Sequence, residues 1–159
     1  QRGGVVGVDV VDEMIEASAA NFKIAEAQNP WFKSEFVTLK KGDALNLPVD
    51  DNSIDVAAQN CLFNIFKAED LKRAIEEMYR VLTPHGKLVM SDPTCEQQMN
   101  DTLRNDARLR ALCLSGSLPI KDYVKALTDV GFGTIEIRAR KPYRILDPKN
   151  YPTEESTSY

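Results

Sequence analysis

The chain reads as an α/β protein with a doubly wound, mostly parallel sheet, and three observations say so. Short apolar, β-branched runs alternate with amphipathic stretches through residues 1–93. The connections between these runs are long enough to hold helices, as parallel pairing requires. Two of the runs close on a carboxylate, Asp9 and Asp43, and open α/β sheets bind their ligands beyond the carboxyl ends of the strands. The length of 159 residues corresponds to one domain, and 43% hydrophobic content suits a globular chain.

Taken in order, residues 5–10 form the first strand, short and β-branched between Gly3-Gly4 and Asp12-Glu13. Met14, Ile15, Ala19 and Phe22, continued by Ile24 or Ala25, then recur at helical spacing. With acidic residues at its start, a helix over 12–27 is expected, ended by Asn29-Pro30. Residues 35–39 form a second strand closed by Gly42-Asp43, and 54–59 a third after the turn-rich segment 48–53. A second helix is expected over 68–82, with Leu71, Ile75, Met78 and Leu82 on one stripe. Thr83-Pro84-His85-Gly86 breaks it, and 87–90 form a fourth strand ending at Ser91-Asp92-Pro93. Helices over 101–114 and 119–130 follow, separated by Ser115-Gly116-Ser117, with Pro119 at a first helical position. Gly131 and Gly133 end the last helix, and 134–139 form a fifth strand. No internal repeat or low-complexity segment interrupts this order.

Bulk properties narrow the partners. A net charge of −4 without any Lys/Arg run argues against nucleic acid, because such binding depends on neutralising phosphates. No window approaches the ~20 apolar residues that span a bilayer, and no signal segment opens the chain, so no membrane association and a cytoplasmic location are expected. Cys61, Cys95 and Cys113 are three widely spaced cysteines without a Cys-x-x-Cys pair, which fits free thiols better than a disulfide framework or a zinc ribbon. The chain opens without methionine and almost directly on a buried-type strand, which reads as a fragment.

Asp9 stands where an acidic side chain can accept hydrogen bonds from ribose hydroxyls, or where a helix start favours an acid. Asp43, followed by the small Ala44, can accept from an adenine amino group while a backbone N–H meets a ring nitrogen, or can serve as a plain turn residue. Two such acids on consecutive strands favour an adenosine ligand. No Gly-x-Gly-x-x-Gly loop occurs, and Gly3-Gly4 precedes a strand instead of following one, so a dinucleotide site is under-supported.

Several motifs together resemble the class I S-adenosylmethionine-dependent methyltransferases, whose fold is Rossmann-like. They are Gly7-Val8-Asp9 with Met14, Gly42-Asp43-Ala44, Leu47-Pro48, Ser53-Ile54-Asp55-Val56, Tyr79-Arg80-Val81-Leu82-Thr83-Pro84-His85-Gly86 and Ser91-Asp92. These alone also fit the ubiquinone/menaquinone-type C-methyltransferases. Gln59-Asn60-Cys61-Leu62-Phe63-Asn64 and Leu112-Cys113-Leu114-Ser115-Gly116-Ser117-Leu118-Pro119 look like the thiol-bearing motifs of arsenite methyltransferases. Ser91-Asp92-Pro93-Thr94-Cys95-Glu96 and the closing stretch 139–152 look most like the branch associated with arsenosugar biosynthesis.

The resemblance implies S-adenosyl-L-methionine as cofactor, with Asp9 on the ribose, Met14 beside the adenosine, Asp43 and Ala44 at the adenine and Asn60 bordering the methionine part. It implies Cys61 and Cys113 as arsenic(III) ligands, with Cys95 a further candidate, although any of the three could be a small buried hydrophobe. An arsenical substrate, a thiol reductant and a monomeric chain complete the implied picture. It also implies one partial methyltransferase domain over 1–159, divided into a cofactor-binding half (1–93), a helical acceptor-side segment (94–130) and a terminal strand with tail (131–159). In the family's sheet order 3-2-1-4-5-7-6, strands 1 and 7 and the glycine-rich loop have no counterpart here. The remaining strands are then expected in disconnected groups, with poor cofactor binding by this polypeptide alone.

Arsenic(III) is soft and carries a lone pair, so it can attack a sulfonium methyl directly once held in line, and soft thiolates suit it as ligands. Each thiol must lose its proton on binding, which implies pH dependence. His85 reads as a turn residue away from the functional edge, and Trp31 as a loop anchor. In the rival readings the cysteines are packing in a carbon- or oxygen-directed methyltransferase, or ligands in a metalloid-binding module without catalysis.

Overall fold

The structure is a computed structural model and describes residues 3–141. Its elements are β1 (Val5–Asp9), α1 (Asp12–Gln28), β2 (Val37–Lys41), β3 (Ile54–Asn60), α2 (Ala68–Val81), β4 (Leu82–Ser91), α3 (Asp101–Arg104), α4 (Ala107–Ala111) and α5 (Ile120–Val130). Single 3₁₀ turns at Ser34–Phe36 and Phe63–Ile65 precede β2 and α2.

All the described strand pairing is parallel, and the strands form two separate pairs, β1 with β2 and β3 with β4. This is the division into disconnected groups that the resemblance implies. In the first pair Val5 lies opposite Val37 and Asp9 opposite Lys41. In the second, Ile54 lies opposite Leu82 but Val56 opposite Lys87. The expected Pro-His-Gly break is therefore an excursion inside β4, which begins at Leu82. Close packing explains the glycine: a Cβ on Gly86 would stand 3.0 Å from the backbone oxygens of Ile54 and Thr83.

Two expected elements differ. Residues 134–139 form no strand, because no described strand lies beside them to take their backbone hydrogen bonds. The helix expected over 101–114 is two short ones, since polar side chains restart it. Asn100 accepts from the N–H of Leu103 to cap α3, and Asp106 accepts from Arg108 and Leu109 to cap α4. The second strand begins later than expected, at Val37, because Ser34–Phe36 is a 3₁₀ turn tied by Ser34 to the Glu26 carboxylate. The closing stretch 142–152 and the tail lie outside the described residues.

Among the described residues the buried core lies between Ala57 and Leu127. Leu71, Ala74, Ile75, Met78 and Val81 form the buried stripe of α2 and meet Tyr123 and Leu127 of α5, Ala57 of β3 and Phe63. Leu45 and Leu47 pack against this core, and Arg80 fastens their loop to α2. Its guanidinium donates to the carbonyls of Leu47 and Val49, to both carboxylate oxygens of Glu77 and to Asp51. Glu77 in turn accepts from the Leu47 N–H at 2.7 Å. Among the described residues, no helix is long and apolar enough to cross a membrane.

Candidate active site

The carboxyl ends of the strands carry the polar residues singled out from the sequence. At the end of β1 the Asp9 carboxylate accepts from the N–H of Val11 at 2.9 Å through one oxygen. Its backbone carbonyl accepts from the Gly42 N–H at 2.9 Å, which binds the loop after β2 to the end of β1. Gly42 is required there, because a Cβ would lie 2.5 Å from Pro48 and 3.1 Å from the Val8 side chain. Asp43 follows directly and turns the chain by accepting from the Leu45 N–H at 2.9 Å. Each acid thus keeps one carboxylate oxygen without a hydrogen-bond partner among the described residues. Asp43 is exposed, Ala44 half-buried, and Met14 is 54% exposed on α1.

The second group forms where β3 and β4 end side by side, with Asn60 opposite Ser91. Cys61 follows β3 with φ 59°, in the left-handed region, and its N–H donates to Ser91 at 2.9 Å. That conformation turns the chain into the Phe63–Ile65 turn, steadied by Gln59, which accepts from the Leu62 N–H. Cys113 also has a left-handed φ, 60°. It occupies the position after α4 where glycine usually closes a helix: its N–H donates to Arg110 and the Leu114 N–H to Leu109. Leu109 and Leu114 are buried, so the apolar contact that accompanies this closure is present. A cysteine in the left-handed region costs about 1 kcal/mol or more and persists only where its surroundings hold it.

The fold brings these two thiols together. The Cys113 thiol is held above its ordinary range first by burial, then by the neighbouring Cys61 thiol in both charge and hydrogen bonding, and by Asp92. Cys95 lies along the same loop: its N–H donates to Leu118, its thiol donates to the Ser117 carbonyl at 3.4 Å, and burial pushes the thiol up. Among the described residues no three His, Cys, Asp or Glu side chains are close enough to hold a metal ion together.

Residues the sequence reading passed over build the floor. Tyr123 is 3% exposed, and burial, followed by the charges of Asp92 and the three cysteines, drives its hydroxyl far above its ordinary range. That hydroxyl donates to the Asn64 side chain, whose amide donates to the Pro93 carbonyl at 2.8 Å. Asp92 accepts from Gln59, and its other oxygen is buried with no hydrogen-bond partner among the described residues. Burial raises the Asp92 pKa against the hydrogen bond from Gln59, which favours the neutral acid. Gly116 lets the thiol loop press on this floor, since a Cβ there would come within 1.9 Å of the Asn64 carbonyl oxygen. The one signal in the sequence was position: Asp92 ends a strand and Asn64 closes the first thiol motif. His85 is exposed in the β4 excursion and Trp31 is 76% exposed beside Phe32.

Parallel strand pairs flanked by helices, with acids and thiols at the carboxyl ends, define a Rossmann-like methyltransferase fold. The methyltransferase domain family matches residues 1–90, and the chain belongs to that family, whose cofactor is S-adenosylmethionine. Two curated arsenite methyltransferases are similar to it. That of Halobacterium salinarum is 31% identical over 135 residues, covering 85% of this chain and 32% of the relative. That of Aquipseudomonas alcaligenes is 30% identical over 148 residues, covering 91% and 41%. A demethylmenaquinone methyltransferase of Staphylococcus epidermidis is 28% identical over 157 residues, covering 98% and 54%. Among solved structures, an arsenic(III) S-adenosylmethionine methyltransferase from Chlamydomonas reinhardtii superposes with a TM-score of 0.72 at 26% identity, covering 81% of this chain and 43% of that one. The chain thus spans about a third to a half of the length of these curated relatives.

The residues present fit the adenosine side of the cofactor. Asp9 and Asp43 each offer a carboxylate oxygen with no partner among the described residues, on loops joined by the Asp9–Gly42 hydrogen bond.

Proposed function

We propose that the protein transfers the methyl group of S-adenosylmethionine to arsenic(III) held by Cys61 and Cys113. The observation that carries this reading is the meeting of these two thiols, each on a left-handed residue that the surrounding hydrogen bonds hold in place. The cofactor, when bound, supplies a methyl group activated by a sulfonium. Asp9 would hold the ribose and Asp43 with Ala44 the adenine, with Met14 beside the adenosine and Asn60 bordering the methionine part. Cys61 and Cys113 would capture the arsenical by exchange. Each S–As bond replaces an As–OH bond, and the thiol proton leaves with the hydroxide as water. The arsenic lone pair would then take the methyl as the bond from carbon to the sulfonium sulfur breaks, the sulfur leaving as a neutral thioether and arsenic(III) becoming arsenic(V), so the site needs no general base to generate the nucleophile, and His85 has no part in it. A small-molecule thiol would act as reductant, the chain would work as a monomer, and Cys95 is a reserve ligand along the same loop.

A carbon-directed reaction is the second reading, favoured by the likeness to the Staphylococcus epidermidis quinone methyltransferase. Arsenite titration and analysis of methylated products in Cys61→Ser and Cys113→Ser separate the two. Loss of tight arsenite binding and of methylated arsenic in each single variant is expected. Retained arsenic methylation in the double variant would sink the proposal, and methylation of a quinone acceptor by that variant would establish the rival.

A further inference from the structure

The methyl-transfer reading leaves unused a cleft of about 430 Å³ on the far side of the thiol loop, between the start of α2, the α3–α4 segment and α5. Four basic side chains line it, Lys67, Lys72, Arg104 and Arg110, against a single acidic one, Asp129. Asp129 already pairs with Lys125 at 2.6 Å, and Lys72 with Glu76 at 3.5 Å. Lys67, Arg104 and Arg110 have no ion-pair partner among the described residues. Arg104 and Arg110 are half-buried, and Arg110 is fixed by donating to the carbonyls of Phe66 at 3.0 Å and Arg104 at 2.6 Å. Half-buried cations without counter-charge are costly to keep unless an anion joins them.

Two further features share the cleft. The N-terminus of α2 opens at Lys67 and Ala68 without a side-chain hydrogen bond capping it, and so leaves backbone N–H groups available, with Glu69 and Asp70 in the same first turn. Ser115 lies in the same wall at 1% exposure, and its hydroxyl has no hydrogen-bond partner among the described residues. A buried hydroxyl left unpaired costs about 1–3 kcal/mol, so native proteins seldom keep one without use. Phe66, Leu71 and Val130 supply an apolar wall opposite the charges, and the volume is that of a small-molecule site.

We propose that this cleft binds a small organic anion, a carboxylate or phosphate group carried on an apolar body. Its charged head would lie between Arg104, Arg110 and Lys67 at the start of α2. The inference is independent of what the thiols hold.

Isothermal titration of the protein with phenyl phosphate and with benzylsuccinate tests it, at low and at high salt. Saturable binding of either probe, weakened by salt and reduced about tenfold in Arg104→Gln, is expected. The tighter probe then identifies the head group. Lys67→Gln, at an exposed position, is the control for a fold damaged by the arginine change and is also expected to weaken binding. Absence of saturable binding by both probes, or affinity unchanged in both Arg104→Gln and Lys67→Gln, would overturn the proposal.

Discussion

The β1–α1–β2 unit and the segment from β3 to α5 are built from similar amounts of apolar sequence, yet only one of them has a core. Between residues 3 and 53 no residue is buried, and Val5, Val10, Met14 and Ile24 are 58%, 61%, 54% and 55% exposed. Every buried apolar residue lies between Ala57 and Leu127. The first unit is held by its backbone ladder, by the Ser34–Glu26 hydrogen bonds, by the tilted contact of Phe22 with Phe32 and by an exposed Lys41–Asp12 ion pair, which contributes little. The wall that would receive the adenosine is therefore the thinly packed one, and the wall that carries the thiols lies against the buried core. A soft half and a packed half in one chain differ in local opening more than in shape.

The largest effect expected follows directly. Phe63→Ala removes a side chain with no exposure, so it should cost about 3–5 kcal/mol. Ile24→Ala, on the outer surface of α1, should stay within about 0.5 kcal/mol. Chemical denaturation of both variants measures this, and native-state hydrogen exchange should show α1 and β1 amides exchanging well before those of α2. Equal costs at the two positions would mean that the first unit has a core of its own.

That contrast also marks what could be read from sequence. The α2 stripe was legible, because Leu71, Ile75 and Met78 recur at helical spacing and are buried as expected. The α1 stripe was just as periodic, but periodicity reports an apolar face and not whether anything covers it. The strand expected over 134–139 fails for the same reason: a strand exists only beside a partner. The break at Asn105-Asp106 is a contest between helix propensity and a side-chain cap that the polar residues win. In the candidate site, the resemblance singles out Cys61 and Cys113, but their proximity depends on the left-handed turn at each. Tyr123 reads in the sequence as one more apolar member of α5. Only packing against Asn64 reveals it as the polar floor beneath the thiols.

Arg80 joins the two halves and provides a test of intermediate size. Removing it takes from the Val49 carbonyl its side-chain donor and from Glu77 its guanidinium partner, leaving the Leu47 carbonyl with the Val49 N–H and Glu77 with the Leu47 N–H alone, so Arg80→Ala should cost about 2 kcal/mol. The pH dependence has a definite sign. The hydrogen bond from Arg80 is the main cause holding Glu77 below its ordinary value near 4.5. A depressed carboxylate contributes its stability in full above that value and loses it as pH falls through the folded-state pKa. The wild-type protein should therefore lose stability below about pH 4.5 more steeply than Arg80→Ala, which lacks the pairing to lose. Parallel acid-unfolding curves would mean that the loop is held to α2 by Leu45 and Leu47 alone.

The smallest effect concerns strain, and it separates the halves again. Among the described residues the left-handed positions other than glycine are Asn52, Cys61 and Cys113, none of them in the β1–α1–β2 unit. Asparagine tolerates that conformation, whereas cysteine needs support from its surroundings. The hydrogen bonds of Cys61 to Ser91 and of Leu114 to Leu109 give that support in the packed half. Glycine adopts the same angles freely, so Cys113→Gly should unfold within about 0.5 kcal/mol of the parent, relief of strain offsetting the added freedom of the unfolded chain. Cys113→Val, β-branched at positive φ, should cost more than about 1 kcal/mol. If the glycine variant keeps its melting temperature and loses arsenite binding, the left-handed cysteine is present for its thiol. If it is destabilised as much as the valine variant, packing of the thiol against its neighbours, and not ligand capture, explains why cysteine stands where a helix would ordinarily end on glycine.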